Sequence, residues 1–121
     1  TTRDFLYVDD TCQAYLDCIK KSKFKGEILN VGNGIEISIK KIAEIVSKIL
    51  KKKIILKKSK IRIRPKKSEV SRLCASSKKA KNLINWQPEY SGLKGFESGL
   101  KKIINWHIKN NLKFNFKDYI V

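Results

Sequence analysis

The apolar residues that follow Ser38 limit the possible fold more than any other feature of the chain. Ile39, Ile42, Ile45, Val46, Ile49 and Leu50 recur at spacings of three and four, which is the period of a helix that buries one face. Ser38 stands where a side-chain oxygen caps the first turn. Ile37 and Ile42 stand where a hydrophobic staple would close across that cap. The run Lys51-Lys52-Lys53 suits the negative end of the helix. A β-prone run lies on each side. Glu27–Val31 precedes the helix and is closed by Gly32-Asn33-Gly34, and Ile54–Leu56 follows it. Helices alternating with strands predict an α/β fold.

The rest of the chain continues this alternation. Phe5–Val8 reads as a short strand. Asp9 or Asp10 then offers an N-cap for a helix reaching about Lys21, with Ala14, Tyr15, Cys18 and Ile19 on its buried side. Gly26 ends the following turn. Pro65 fixes another turn and pushes Arg64 toward an extended backbone. Ser76 or Ser77 starts a short helix through Ile84. Pro88 and Gly92 mark the next loop, and Ser91 is placed to cap a last helix. That helix carries the stripe Leu93, Phe96, Leu100, Ile103, Ile104 and His107. The tail after Asn111 alternates polar and aromatic residues and is expected to be loose or to dock on a neighbour.

At 121 residues the chain is one domain at most. No apolar run approaches the roughly 20 residues of a membrane span. No charged and then apolar leader opens it. It starts without methionine, directly on a strand-like run, as a piece of something longer would. The net charge of +17 admits a nucleic-acid or anionic-membrane partner. However, only four of the 28 basic residues are arginines, the residue whose planar fork matches phosphate. Spread-out lysine on a solvated surface is the better reading, and nucleic acid is not the expected partner. The three cysteines, Cys12, Cys18 and Cys74, include no C-x-x-C pair. They are expected to be small buried hydrophobes in a reduced, cytoplasmic setting.

Three features imitate sites. Gly32-Asn33-Gly34 lies between a strand and a helix, as a dinucleotide-binding turn would. Ile37 takes the place of the third glycine, and the region about 20 residues on lacks the acidic residue that holds a ribose. Tyr90 and Lys94 have Y-x-x-x-K spacing, but Ser91-Gly92 interrupts the helix that would align them. His107, the single histidine, lies on an apolar stripe and reads as packed. No metal site or triad is indicated.

Three segments together resemble one family. They are Arg3-Asp4-Phe5-Leu6-Tyr7-Val8-Asp9-Asp10, then Gly26 to Gly34 with Ile37-Ser38-Ile39, and then Arg64-Pro65 through Ser68-Glu69-Val70 and Arg72-Leu73 to Trp86. Their order and spacing resemble the C-terminal part of extended short-chain dehydrogenase/reductases, the NAD-dependent nucleotide-sugar epimerases and 4,6-dehydratases. The resemblance extends to about Trp106. It is strongest to the UDP-N-acetylglucosamine 4,6-dehydratases of legionaminic-type pathways, with GDP-mannose 4,6-dehydratases close behind.

The resemblance implies an α/β fold that is the incomplete C-terminal portion of a Rossmann-type enzyme. Residues 1–34 would end the Rossmann-type sheet region, 35–111 would form a substrate-binding subdomain and 112–121 a tail. NAD or NADP would be held by an N-terminal Rossmann part, in cis or trans, which would also carry the catalytic Tyr/Lys pair. No catalytic or cofactor residue is then expected in this chain, which would be inactive alone. The whole enzyme could form a homodimer. The parent reaction would oxidise C4 of the sugar, remove water across C5–C6 and return hydride; the alternative is a 4-epimerase. Other classes remain open: a non-catalytic remnant, a split-enzyme subunit or a basic nucleic-acid-binding module.

The resemblance matches Arg3 and Arg64 to arginines on the nucleotide diphosphate, where bidentate, permanently charged donors fit. It matches Glu69 to a contact with the ribose hydroxyls. Asp9 is expected to cap its helix, Asn30 to tie the glycine turn, and Trp86 to anchor the short helix on the sheet.

Overall fold

In a computed structural model describing residues 1–21, 26–56 and 70–111, two short strands and four helices follow in the order β1 (Thr2–Arg3), α1 (Val8–Lys20), β2 (Ile37–Ser38), α2 (Ile39–Leu50), α3 (Lys78–Ile84) and α4 (Gly92–Lys109). β1 pairs antiparallel with β2, Thr2 opposite Ser38 and Arg3 opposite Ile37. On its other side Thr2 bridges in parallel to Arg72. The Thr2 N–H donates to the Ser71 carbonyl at 3.0 Å, and the Leu73 N–H donates to the Thr2 carbonyl at 3.3 Å. Both edges of β1 are therefore occupied.

The Ser38 helix forms as the periodicity predicts, although Ile39, the first residue of the expected stripe, is exposed. The Lys41 N–H donates to Ser38 Oγ at 3.1 Å, and Ile37 and Ile45 are buried. The helix ends on Lys51 in the left-handed region (φ 52°). The Lys52 N–H then closes on the Ser47 carbonyl at 3.1 Å.

The first strand lies earlier than the β-prone residues suggest. Thr2–Arg3 has partners on both edges, whereas Phe5–Tyr7 is used for packing. The Phe5 ring meets Phe96 at 6.0 Å, Leu6 joins the core, and the Tyr7 ring meets Tyr90 at 4.4 Å. Helix α1 consequently opens at Val8, with Tyr7 at the N-cap position and no side-chain cap. The expected caps, Asp9 and Asp10, lie inside the first turn instead. There their charge still suits the positive helix end.

Helix α1 also turns a different face inward. Ala14 is buried as expected and Cys18 is half-buried, but Tyr15 and Ile19 are 70% and 74% exposed. The small side packs because α3 approaches closely through Ala80, which with Ala14, Ile84 and Trp86 forms the core. Trp86, 1% exposed, anchors the helix pair rather than a sheet. Its Nε1–H donates to the Asp10 carbonyl at 3.0 Å.

Two expected strands are absent among the described residues. Glu27–Val31 keeps the period-two alternation, with Leu29 and Val31 packed on the core and Ile28 exposed. No described segment pairs with it to make a ladder. Ile54–Leu56 is likewise unpaired and exposed. Helix α4 follows its predicted stripe only in part. Phe96, Leu100, Ile104 and His107 are half-buried, Leu93 and Ile103 are exposed, and Gly99 is buried. Cys12 and Cys74 are exposed rather than buried, and all three cysteines are free thiols. Among the described residues no helix is long and apolar enough to cross a membrane.

Candidate functional site

Arg3 projects from the short strand held on both edges, and it lines a cleft of about 420 Å³ with Asp4, Asn30, Leu73, Cys74 and Ser76 among others. Its Nη1 donates to the Thr2 carbonyl at 2.7 Å, so the guanidinium lies back along its own strand at the cleft wall. Arg64 and Glu69, the other two expected ligand contacts, lie outside the described residues.

Asp4 organises the floor of this cleft. Its Oδ1 accepts from the Asn33 N–H at 2.8 Å. Its Oδ2 accepts from the Gly34 N–H at 3.0 Å and the Ala75 N–H at 3.1 Å. One carboxylate thus ties the glycine turn to the segment entering α3. Ser77 makes a second tie, donating its hydroxyl to the Gly32 carbonyl at 3.1 Å and accepting the Gly32 N–H at 3.0 Å. That use explains why Ser77, although at the N-cap position of α3, makes no side-chain cap. Gly32 cannot be larger, because a Cβ there would lie 2.5 Å from Ala75 Cβ and 2.7 Å from Asp4 Oδ2.

Asn33, rather than Asn30, holds the turn to the rest of the chain. Its Oδ1 accepts the Gly92 N–H at 2.6 Å and its Nδ2 donates to the Phe5 carbonyl at 3.4 Å. Asn33 thereby satisfies an orphan amide at the start of α4, where the expected cap, Ser91, makes no side-chain cap. Asp10 acts similarly. It is 4% exposed and accepts the Glu89 N–H at 2.7 Å and the Tyr90 N–H at 3.2 Å. Asp4, Asp10 and Asn33 were given no such structural role by sequence reasoning. The signal available for Asp4 was an acid directly after a strand and in reach of a Gly-x-Gly turn with free amides.

Tyr90 has a lysine partner, but it is Lys102 and not Lys94. Lys102 Nζ hydrogen-bonds Tyr90 Oη and lies 4.8 Å from the Tyr90 ring centroid and 5.9 Å from that of Tyr7. The hydrogen bond to Tyr90 raises the Lys102 pKa. Burial and then the nearby Asp9 charge raise that of Tyr7, against the opposing pull of Lys102. Both shifts favour the protonated forms. In the cleft, burial and the Asp4 carboxylate raise the Cys74 thiol pKa, away from the thiolate a nucleophile needs. The cleft thus places the Arg3 guanidinium beside the Asp4 carboxylate, over backbone amides that are already satisfied.

A family model described as GDP-mannose 4,6 dehydratase matches residues 1–102. The chain belongs to this family. A UDP-glucuronate 4-epimerase of Thermodesulfobacterium geofontis is 37% identical over 109 residues, which are 89% of this chain and 31% of that protein. The solved structure of a UDP-glucose 4-epimerase superposes with a TM-score of 0.76 at 26% identity, covering 94% of this chain and 33% of the other. A dTDP-glucose 4,6-dehydratase from Bacillus anthracis str. Ames, solved in complex with NAD, superposes with a TM-score of 0.66 at 29% identity, over 88% and 31%. The chain thus spans 31% to 33% of the length of these proteins. The α/β fold of this family member is a small part of a Rossmann-type architecture.

The described residues of this dehydratase-family chain do not fit a dinucleotide at the glycine turn. A pyrophosphate needs free backbone N–H groups there. The Gly32 amide is given to Ser77, and those of Asn33 and Gly34 are given to the Asp4 carboxylate, which would itself repel phosphate.

Proposed function

We propose that this chain forms the nucleotide-gripping wall of an NAD(P)-dependent sugar-nucleotide 4,6-dehydratase. The observation that carries this reading is Arg3, a permanent cation displayed at a cleft from a strand fixed on both edges. A diphosphate needs such a fixed donor fork. Arg64 shares the diphosphate and Glu69 accepts from the ribose hydroxyls. Holding the nucleotide by these groups orients the sugar so that its C4 faces the nicotinamide. Positioning of that kind supplies several kcal/mol of a barrier. The cofactor supplies hydride chemistry from a Rossmann-type portion in cis or trans, and the present residues bind and orient.

A 4-epimerase is the second reading, favoured by two relatives described above that are named as 4-epimerases. Both reactions begin with oxidation at C4, so the grip described serves either. The exposed apolar face of α1, with Val8, Cys12, Tyr15 and Ile19 at helical spacing, supports docking of the Rossmann-type portion. Contiguous exposed apolar faces mark interaction sites.

Arg64→Ala in the intact protein is expected to weaken binding of a UDP-, GDP- or dTDP-sugar by roughly 10-fold to 100-fold, the worth of a hydrogen bond to a charged group. Isothermal calorimetry reads this directly. Arg64→Lys should recover only part of the loss, because a point charge lacks the fork. Unchanged affinity in Arg64→Ala would remove Arg64 from the grip.

A further inference from the structure

We propose that Glu36 is a positioning residue for the diphosphate contact, holding Arg3 in place by clamping the strand that carries it. The proposal rests on the reading of Arg3 given under Proposed function.

Strand β1 has only two residues, and Glu36 adds a side-chain constraint to its ladder bonds at the residue before Arg3. Its Oε1 accepts from Thr2 Oγ1 at 3.0 Å and from Arg72 Nε at 3.1 Å. Its Oε2 accepts from Arg72 Nε at 3.0 Å and from Arg72 Nη2 at 2.5 Å. One carboxylate therefore spans all three segments: β1 through Thr2, the approach to β2 through Glu36 itself, and the 71–73 segment through Arg72.

The two partners differ in their surroundings. The Glu36 side chain is 18% exposed and that of Arg72 is 77% exposed. An ion pair with one exposed member stabilises the fold only weakly. Its bidentate fork nevertheless fixes orientation. That combination is expected of a group that sets geometry more than stability. Thr2 is also where the two functions meet, because its carbonyl accepts both from Arg3 Nη1 and from the Leu73 N–H. Any rotation of β1 that freed the Thr2 hydroxyl would move this shared carbonyl, and the Arg3 guanidinium with it.

The hydrogen bonds from Arg72 hold the Glu36 carboxyl below the usual glutamate range, against its partial burial, with Thr2 helping. The other charged side chain lining the same depression is Lys41, which pairs with Glu44 at 3.7 Å. Cys74 lies near enough to feel the Glu36 charge. The clamp is thus charged at neutral pH, and it weakens as the pH falls through that lowered range.

The test is a double-mutant cycle in the intact protein, with UDP, GDP and dTDP as probes and calorimetric Kd as the readout. Glu36→Ala is expected to weaken the best-binding nucleotide roughly 2-fold to 10-fold when Arg3 is present. On an Arg3→Ala background it should add nothing, because its effect passes through Arg3. A merely structural role would weaken both backgrounds by the same factor, and that outcome overturns the proposal, as does unchanged affinity in Glu36→Ala. Thr2→Val, which keeps a β-branched residue in the strand and removes only the hydroxyl, must show the same pattern. It decides the matter if Glu36→Ala does not fold. If Arg3→Ala alone leaves affinity unchanged, the failure belongs to the Arg3 reading itself and not to the clamp.

Discussion

Trp86→Ala is expected to destabilise the chain by about 3–5 kcal/mol, the usual cost of truncating a buried aromatic side chain. Trp86 is 1% exposed and packs with Ala14, Ala80 and Ile84. Three small or medium residues cannot collapse into the space a tryptophan leaves, so a cavity remains between α1 and α3. The substitution also removes the hydrogen bond from Nε1–H to the Asp10 carbonyl, 3.0 Å long and buried. Domains have a total stability of about 5–15 kcal/mol, so this one change should remove a large fraction of it. Urea unfolding followed by circular dichroism measures the effect. Trp106→Ala is the control. Trp106 is 56% exposed, and its loss should change stability by less than about 1 kcal/mol. Similar losses for the two would contradict the placement of the core.

Gly95→Ala is expected to reverse the usual sign of a glycine-to-alanine change in a helix. In an open helix interior alanine is favoured by roughly 1 kcal/mol. In α4 a Cβ at Gly95 would lie 2.1 Å from the Tyr90 carbonyl carbon and 2.4 Å from its oxygen. These are backbone atoms, and Tyr90 is itself held by the buried Asp10 carboxylate, so neither side can give way. Overpacking of this kind costs about 1–3 kcal/mol. Thermal unfolding should show a lowered Tm for Gly95→Ala, whereas a raised Tm would mean that α4 does not press on the Tyr90 turn.

Local signals in the sequence account for some elements and not for others. The Ser38 helix was readable because cap, periodicity and end signal agree within one segment. The pairing of Thr2–Arg3 was not, because a two-residue strand has no periodicity and depends on partners more than 30 residues away in sequence. Helix α1 was placed correctly but rotated. Its large residues suggested the buried face, and the close approach of Ala80 selected the small one instead. Glu27–Val31 shows the strand pattern without a strand, since pattern records which side faces the core and pairing needs a neighbour. At the candidate site the motif shared with a known family singled out Arg3, which the structure places at a cleft wall. Asp4, Asp10 and Asn33 were not, because each serves backbone amides that lie far away in the chain.

The most direct test of the central claim is calorimetric titration of the intact protein with UDP-, GDP- and dTDP-sugars, comparing the wild type with Arg3→Ala. Arg3 as a diphosphate contact predicts saturable binding of at least one of these ligands, weakened roughly 10-fold to 100-fold by the substitution. The parent nucleoside, which lacks phosphate, should bind both proteins equally. Equal affinity of the two proteins for every nucleotide sugar would contradict the claim.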